Sequence, residues 1–328
     1  MLAGPPAQSI IIIVASALHN NGMVDPLFRQ ARTTKPERLV ETRREPAQFA
    51  PAVDPPRGVL HAPEARDSSF FHQRLAPAPL LAPFVQHFWY VQWDRRDAAS
   101  GSAETLPHPS CYLVFEHDLE RPVDDAAVLR CTEVSGVHTG KFSRTMEGCG
   151  RVFGVKFQPG GLFPFLQGSV SVLTDRVVPA HQVFGSEIHT LARDLRALQT
   201  PEDMVAAATQ FLASRAPERD PASETATDLV KLILDDPAVL TVDGLSHRSG
   251  LSVRALQRLF KTYVGVSPKW VIRRYRLHEL LECLNSSEHF DGVQIALDLG
   301  YADQAHLIHD FTKLVGMPPT AYLRRLQR

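Results

Sequence analysis

Nine residues near the C-terminal end of the chain occur twice. Phe260-Lys261-Thr262-Tyr263-Val264-Gly265-Val266-Ser267-Pro268 returns, 51 positions later, as Phe311-Thr312-Lys313-Leu314-Val315-Gly316-Met317-Pro318-Pro319, with four of the nine positions identical. A duplication at this spacing requires that both copies fold as the same supersecondary unit. Upstream of each copy lie a short helical pattern, a glycine (Gly250 or Gly300) and a second helical pattern that runs into the repeat. Glycine supplies the positive φ of a tight turn between helices, so each copy reads as a helix-turn-helix whose second helix can enter a DNA major groove.

In the first unit Leu251, Leu256, Leu259 and Phe260 can hold the short helices together. Arg254, Gln257, Arg258 and Lys261 fall at i, i+3, i+4 and i+7 and share the outward face. Arg suits the O6/N7 edge of guanine and Gln the N6/N7 edge of adenine, although most charged helix faces are simply solvated. Charge distribution favours DNA. The whole chain, 328 residues, carries 35 Lys+Arg against 36 Asp+Glu, a net charge of −1, so bulk charge draws it to neither nucleic acid nor membrane. Yet Gly244 to Arg276 holds eight basic residues and no acid: Arg248, Arg254, Arg258, Lys261, Lys269, Arg273, Arg274 and Arg276. This is a local anion site. Asp291 to Lys313 has four aspartates and only Lys313 as a counter-charge, so base reading in the second unit falls to Gln304, His306 and His309.

The remaining organisation follows from periodicity. Residues 1–67 contain nine of the 25 prolines and read as a disordered, Pro-rich extension. Within it Ile10–Leu18 is too short for the ~20 residues of a membrane helix. Ala15-Ser16-Ala17 could serve as a signal cleavage site, but Met1–Ser9 has no Lys or Arg, and a cytoplasmic protein is expected. Residues 68–212 open with strand-like runs such as Phe88–Val91, Tyr112–Phe115 and Val152–Phe157, followed by helical patterns at Val183–Leu198 and Glu202–Ser214. This region is expected to sense an effector or to dimerise. Residues 213–227 read as a polar linker, and 228–328 as all-helical, with a long central helix through Val271, Tyr275, Leu277, Leu280, Leu281 and Leu284. The expected class is α+β: a mixed, β-rich N-terminal domain, then an all-α domain of two helix-turn-helix units joined by a long helix.

Thr241–Arg325 resembles the DNA-binding domain of the AraC/XylS transcriptional regulators. The matching runs are Leu245–Lys261, Gly265–Pro268, Ile295–Phe311 and Gly316–Tyr322. The resemblance implies base reading by Arg254, Gln257 and Arg258 in the first unit and by Gln304, Ala305, Ile308 and His309 in the second, where the family commonly has Arg at the last position. Candidate phosphate contacts are Arg248, Lys269, Arg273, Arg274, Arg276 and Lys313. Gly265 and Gly316 fit helix caps, and Pro268 and Pro319 fit the first positions of the helices that follow. Pro77–Phe184 looks like an N-terminal domain found in a subset of these regulators, through Leu80–Val91, Leu106–Ser110, Gly154–Gly161 and Leu173–Pro179.

The expected partners are double-stranded DNA, RNA polymerase if the protein activates, an unknown small-molecule effector and a second copy of the chain; no membrane partner is expected. Trp89 and Trp93, in the densest aromatic cluster, are candidate effector-pocket residues. No cofactor or metal is expected: Cys111, Cys131, Cys149 and Cys283 form no close pair, and His108, His117 and His138 match no ligand spacing. A DNA-repair hybrid would need such a cysteine cluster. An enzyme would need a nucleophile–base constellation or a G-x-S-x-G element, and none is visible. Gly160-Gly161 lacks the Lys-Ser/Thr of a phosphate loop and reads as a strand-to-helix turn.

Overall fold

The computed structural model describes residues 57–61, 69–97, 100–120, 131–166, 168–286 and 291–326. Ile10–Leu18 and most of the proline-rich extension lie outside them.

The N-terminal half is built on two antiparallel sheets. Strands β2 (Phe70–Leu75), β3 (Val85–Arg95), β8 (Gly148–Phe157), β5 (Tyr112–Asp118), β6 (Thr132–Ser135) and β9 (Val177–Pro179) hydrogen-bond in that order, and β1 (Val59–His61), β4 (Gly101–Thr105) and β7 (Phe142–Met146) form a smaller sheet. The larger sheet is buried on both faces, which explains why its central strands read as continuous apolar runs. Residues paired across strands share a face and alternate along the chain. Leu75, Phe88, Leu113, Phe115, Phe153 and Val155 therefore point one way, into the main core. Trp89, Val91, Trp93, Tyr112, Val114 and Val152 point the other way and form a second core with Ala103 and Met146 of the small sheet.

Short helices follow the sheets: α1 (Phe163–Leu166), α2 (His181–Phe184), α3 (Ile188–Ala197) and α4 (Pro201–Ala213). The single helix expected over Val183–Leu198 is split, because Gly185 adopts φ 74° and ends α2. Leu191, Leu195, Met204 and Leu212 lie on the main sheet core.

Two expectations about boundaries are corrected. Residues 57–61, assigned to the extension, contain β1, whose Val59 pairs with Thr105. Residues 213–227, assigned to a linker, contain the first two turns of α5 (Pro221–Asp235). Asp220 caps this helix by accepting from Ala222 N at 2.8 Å and Ser223 N at 3.3 Å, with Pro221 at the first helical position. Pro, Asp and Ser serve helix starts as readily as linkers, so composition alone misplaced the boundary. Ser223 Oγ donates to Gly160 O at 2.7 Å and Gly160 N donates to Thr227 Oγ1 at 3.2 Å, tying α5 to the strand-to-helix turn after β8.

The remaining helices are α6 (Val242–Ser249), α7 (Val253–Leu259), the long α8 (Pro268–Ser286), α9 (Gly292–Asp298), α10 (Gln304–Val315) and α11 (Pro319–Leu326). The first unit shares one apolar cluster with the sheet domain, running from Leu75 and Phe88 through Leu229 and Ile233 to Leu256, Phe260 and Tyr275. The second unit packs around Leu280, Leu284, Leu307, Phe311 and Tyr322, joined by Leu60 and Leu106 from the N-terminal half.

Candidate nucleic-acid interface

Each helix-turn-helix is assembled from the same local devices. In the first, Thr241 caps α6 by accepting from Gly244 N at 3.0 Å, and Gly250 ends it at φ 70°. Ser246 Oγ donates to Leu251 O at 2.6 Å across the turn, and Ser252 caps α7 by accepting from Ala255 N at 3.3 Å. In the second, Asp291 caps α9 and Gly300 lies at φ 70°; Asp303 then caps α10, accepting from His306 N at 2.8 Å. The sequence repeat is thus a repeat of caps and turns, ending at Gly265 (φ 95°) and Gly316 (φ 90°), both left-handed.

Leu256 anchors α7 in the core, leaving Arg254, Gln257 and Arg258 exposed on the opposite side. Lys261 is exposed as well, but it lies in a π-turn, Phe260–Val264, that widens the helix before Gly265. Arg254, Arg258 and Lys261 take part in no ion pair among the described residues, so their charge is available to an incoming anion. On α10, Leu307, Asp310 and Phe311 face inward; Ala305 and His309 are exposed, and Gln304 and Ile308 are half-buried. The exposed face of α7 is thus basic, whereas that of α10 carries neither Arg nor Lys at these four positions.

The six candidate phosphate contacts divide. Lys269 and Lys313 are exposed. Arg248 is exposed but paired with Asp236, and Arg273 is paired with Asp310. Arg274 and Arg276 cannot serve as drawn. Arg274 is 2 % exposed, donates to Thr139 O at 2.6 Å and stacks on Trp270 at 4.5 Å; burial lowers its pKa to about 9. Arg276 is 3 % exposed, donating to Val239 O at 2.6 Å and to Glu279 at 2.8 Å. Both are structural arginines, which the letters of the central helix do not distinguish from surface ones.

Trp89 and Trp93 are also reassigned. Both rings lie in the core between the sheets, where Gly154 and Gly150 leave room for them that a Cβ would fill. Trp93 Nε1 donates to Glu147 O at 3.0 Å, and neither tryptophan lines the cavity beside His87 and Asp228 or the one beside Arg273 and Asp310.

The N-terminal domain touches the segment that leaves the first recognition helix. Ser169 Oγ donates to Lys261 O at 3.2 Å, Thr174 Oγ1 donates to Gly265 O at 2.6 Å, and the Phe163 and Tyr263 rings lie 4.2 Å apart. Nothing in the sequence of either segment signals these contacts.

Two family models match the chain: a helix-turn-helix domain over residues 245–325 and a domain of unknown function (DUF6597) over residues 73–179. No curated protein matches it. Among solved structures, a transcriptional regulator with an AraC-type DNA-binding domain from Chromobacterium violaceum is 25% identical, over 31% of this chain and 91% of that one, with a TM-score of 0.28. ToxT from Vibrio cholerae is 11% identical, over 79% of this chain and 99% of that one, with a TM-score of 0.35. A ToxT structure with a bound unsaturated fatty acid is also 11% identical, over 78% and 95%, at 0.32. Residues 245–325 match the helix-turn-helix domain family, here as two units on one central helix, and they follow residues 73–179, which match a domain of unknown function.

Proposed function

We propose that this DNA-binding transcriptional regulator reads a specific operator chiefly through α7, with Arg254, Gln257 and Arg258 at base edges and Lys261, Lys269 and Lys313 at phosphates. Gln304, Ala305, Ile308 and His309 of α10 form a weaker second reading surface. The observation that carries this reading is the exposed α7 face, whose arginines have no partner among the described residues. Arg at a guanine edge discriminates, whereas a phosphate contact only positions.

The N-terminal domain controls this activity through a small-molecule effector. Its contacts with Lys261 and Gly265 support the reading, since a shift of the Val170–Leu173 segment bears directly on the end of the recognition helix. The protein acts in the cytoplasm, as a homodimer on paired half-sites, and contacts RNA polymerase where it activates. No catalytic role is assigned. Selection of bound fragments from random duplexes by the full chain, with and without cell extract, tests both parts: an enriched motif that Arg258→Ala relaxes supports base reading. Binding that extract never alters supports a domain that only assembles the protein.

A further inference from the structure

A cavity of about 360 Å³ lies between the two helix-turn-helix units, against the central helix. Residues 240–243 lead into α6 on one side, Ile272 and Arg276 of α8 line the middle, and residues 299–301 bring in the turn of the second unit. Leu240 closes the gap between the units. A Cβ on Gly300 would lie 3.0 Å from the Leu240 side chain, so the glycine, at φ 70°, lets the loop before α6 pack on the turn before α10. Small-molecule sites fall in the range of ~300–1,000 Å³. A dry cavity of ~150 Å³ takes one benzene ring, so this one has room for two fused rings.

The buried charges of the wall are already matched. Arg273 Nε donates to Asp310 at 3.1 Å, and Arg276 donates to Glu279 at 2.8 Å and to Val239 O at 2.6 Å. Lys269 and Asp243, of opposite sign, are exposed. Two hydrogen-bond donors are left over. Arg276 is 3 % exposed, yet its Nε has no hydrogen-bond partner among the described residues, and the buried hydroxyl of Tyr301 has none either. Both residues line the cavity. The hydroxyl feels the charges of Asp310, Arg273 and Arg276, which places it in the same cluster, and burial raises its pKa, so the proton stays on the oxygen. A guanidinium N–H can only donate, and this phenol has a proton to give. The pair therefore lacks an acceptor, and a buried donor left unmatched costs free energy that an acceptor recovers. Leu240, Ile272 and Leu299 make up the apolar part of the lining.

We propose that this cavity binds a small uncharged compound of about two fused rings, whose carbonyl oxygen accepts from Tyr301 Oη and Arg276 Nε while its rings lie on Leu240, Ile272 and Leu299. The site is separate from the effector control assigned to the N-terminal domain and does not depend on it. A carboxylate is disfavoured, because it would bring a second negative charge beside the buried Asp310. A hydrocarbon of the same shape leaves both donors unmatched. Since the walls belong to both units, a molecule held here fixes the distance between them. Two recognition helices enter the major groove together only at the spacing the duplex sets, so occupancy changes operator affinity.

Equilibrium dialysis of the full chain against coumarin, naphthalene and 2-naphthoate tests the site, the three sharing a two-ring frame and differing in the acceptor. Coumarin should bind saturably and about fivefold or more tightly than either of the others, the factor that one hydrogen bond supplies. Tyr301→Phe removes only the unpaired hydroxyl. It should lower coumarin affinity by about the same factor and leave naphthalene unaffected. Leu240→Trp, which fills the cavity from the loop side, serves as the second variant should Tyr301→Phe lose its cooperative thermal transition, and it should abolish coumarin binding. No saturable coumarin binding, equal affinity for the three compounds, tighter binding of 2-naphthoate, or coumarin affinity unchanged in these variants overturns the proposal. Gel-shift titration of operator with and without saturating coumarin reads the coupling separately. A change of about fivefold or more supports it, and bound coumarin that leaves operator affinity unchanged overturns the coupling while leaving the site intact.

Discussion

Arg273, on the central helix, reaches across to Asp310, a buried carboxylate on the second recognition helix, with Nε donating to Oδ2 at 3.1 Å. The pair fixes the second unit to the helix that also carries the first. His306 Nε2 lies 3.8 Å from the same Asp310 oxygen, one turn back on the helix.

Arg273→Ala should therefore destabilise the protein by about 1–3 kcal/mol, the usual cost of leaving a buried acceptor unmatched. Urea denaturation measures it. A double-mutant cycle with Asp310→Asn should show coupling between the two; additivity would mean that the pair contributes nothing of its own.

On operator DNA, Arg258→Ala should cost about 1–3 kcal/mol and relax preference at one base pair, as loss of a bidentate base contact does. His309→Ala should cost less. Equal losses in quantitative gel-shift titrations would contradict the ranking of the two units by their local charge.

Lys269→Ala should weaken binding to all duplexes alike and lower the slope of log affinity against log salt by about one, the signature of a lost phosphate contact. A change in sequence preference would place Lys269 at a base instead.

Stability should fall as the solution is acidified below about pH 6.5. His87, His108 and His278 are buried, with pKa values well below 6.5 chiefly through that burial, and His117 is lowered to about 4. The unfolded chain takes up these protons first, so their stabilising contribution is complete above the unfolded pKa and is lost as pH falls toward the folded value. Each contributes a slope of up to about 1.4 kcal/mol per pH unit in that window. Denaturation midpoints at pH 7.5, 6 and 5 would show it, and a flat profile would mean that the rings are hydrated.

Gly160→Ala should loosen the junction between the sheet domain and α5. A Cβ there would run into Ser223 O, part of the backbone, whereas one at Gly140 meets nothing within 4 Å. A loss of about 1–3 kcal/mol is expected for the first, as for other overpacked sites, and almost none for Gly140→Ala. Thermal melting distinguishes them.

The helix-turn-helix units were legible because their determinants are local. Caps such as Ser252 and Asp303, turn glycines such as Gly250, and the inward Leu256 and Leu307 all act within a few residues of one another. Arg274 was not legible, because its burial depends on Thr139 O, 135 positions away, and an arginine in a charged helix carries no mark of that partner. The wall of the cavity beside His87 and Asp228 left a faint trace. Lys156 interrupts the apolar pair Val155 and Phe157, and His87 directly precedes the apolar run Phe88–Val91; a polar residue at an inward position of a buried strand asks for a purpose. Only the strand register brings the two together.

Leu60 lies outside both family models, yet its carbonyl accepts from Tyr322 Oη at 3.2 Å and from Arg325 at 3.1 Å, and its side chain is buried with the second unit. A strand far from the DNA-reading helices in sequence thus acts as a clasp on the final helix. Trimming the chain to the matched domains would unfasten it, so translation starts, expression tags and proteolytic nicks upstream of residue 70 become levers on how the second helix-turn-helix sits.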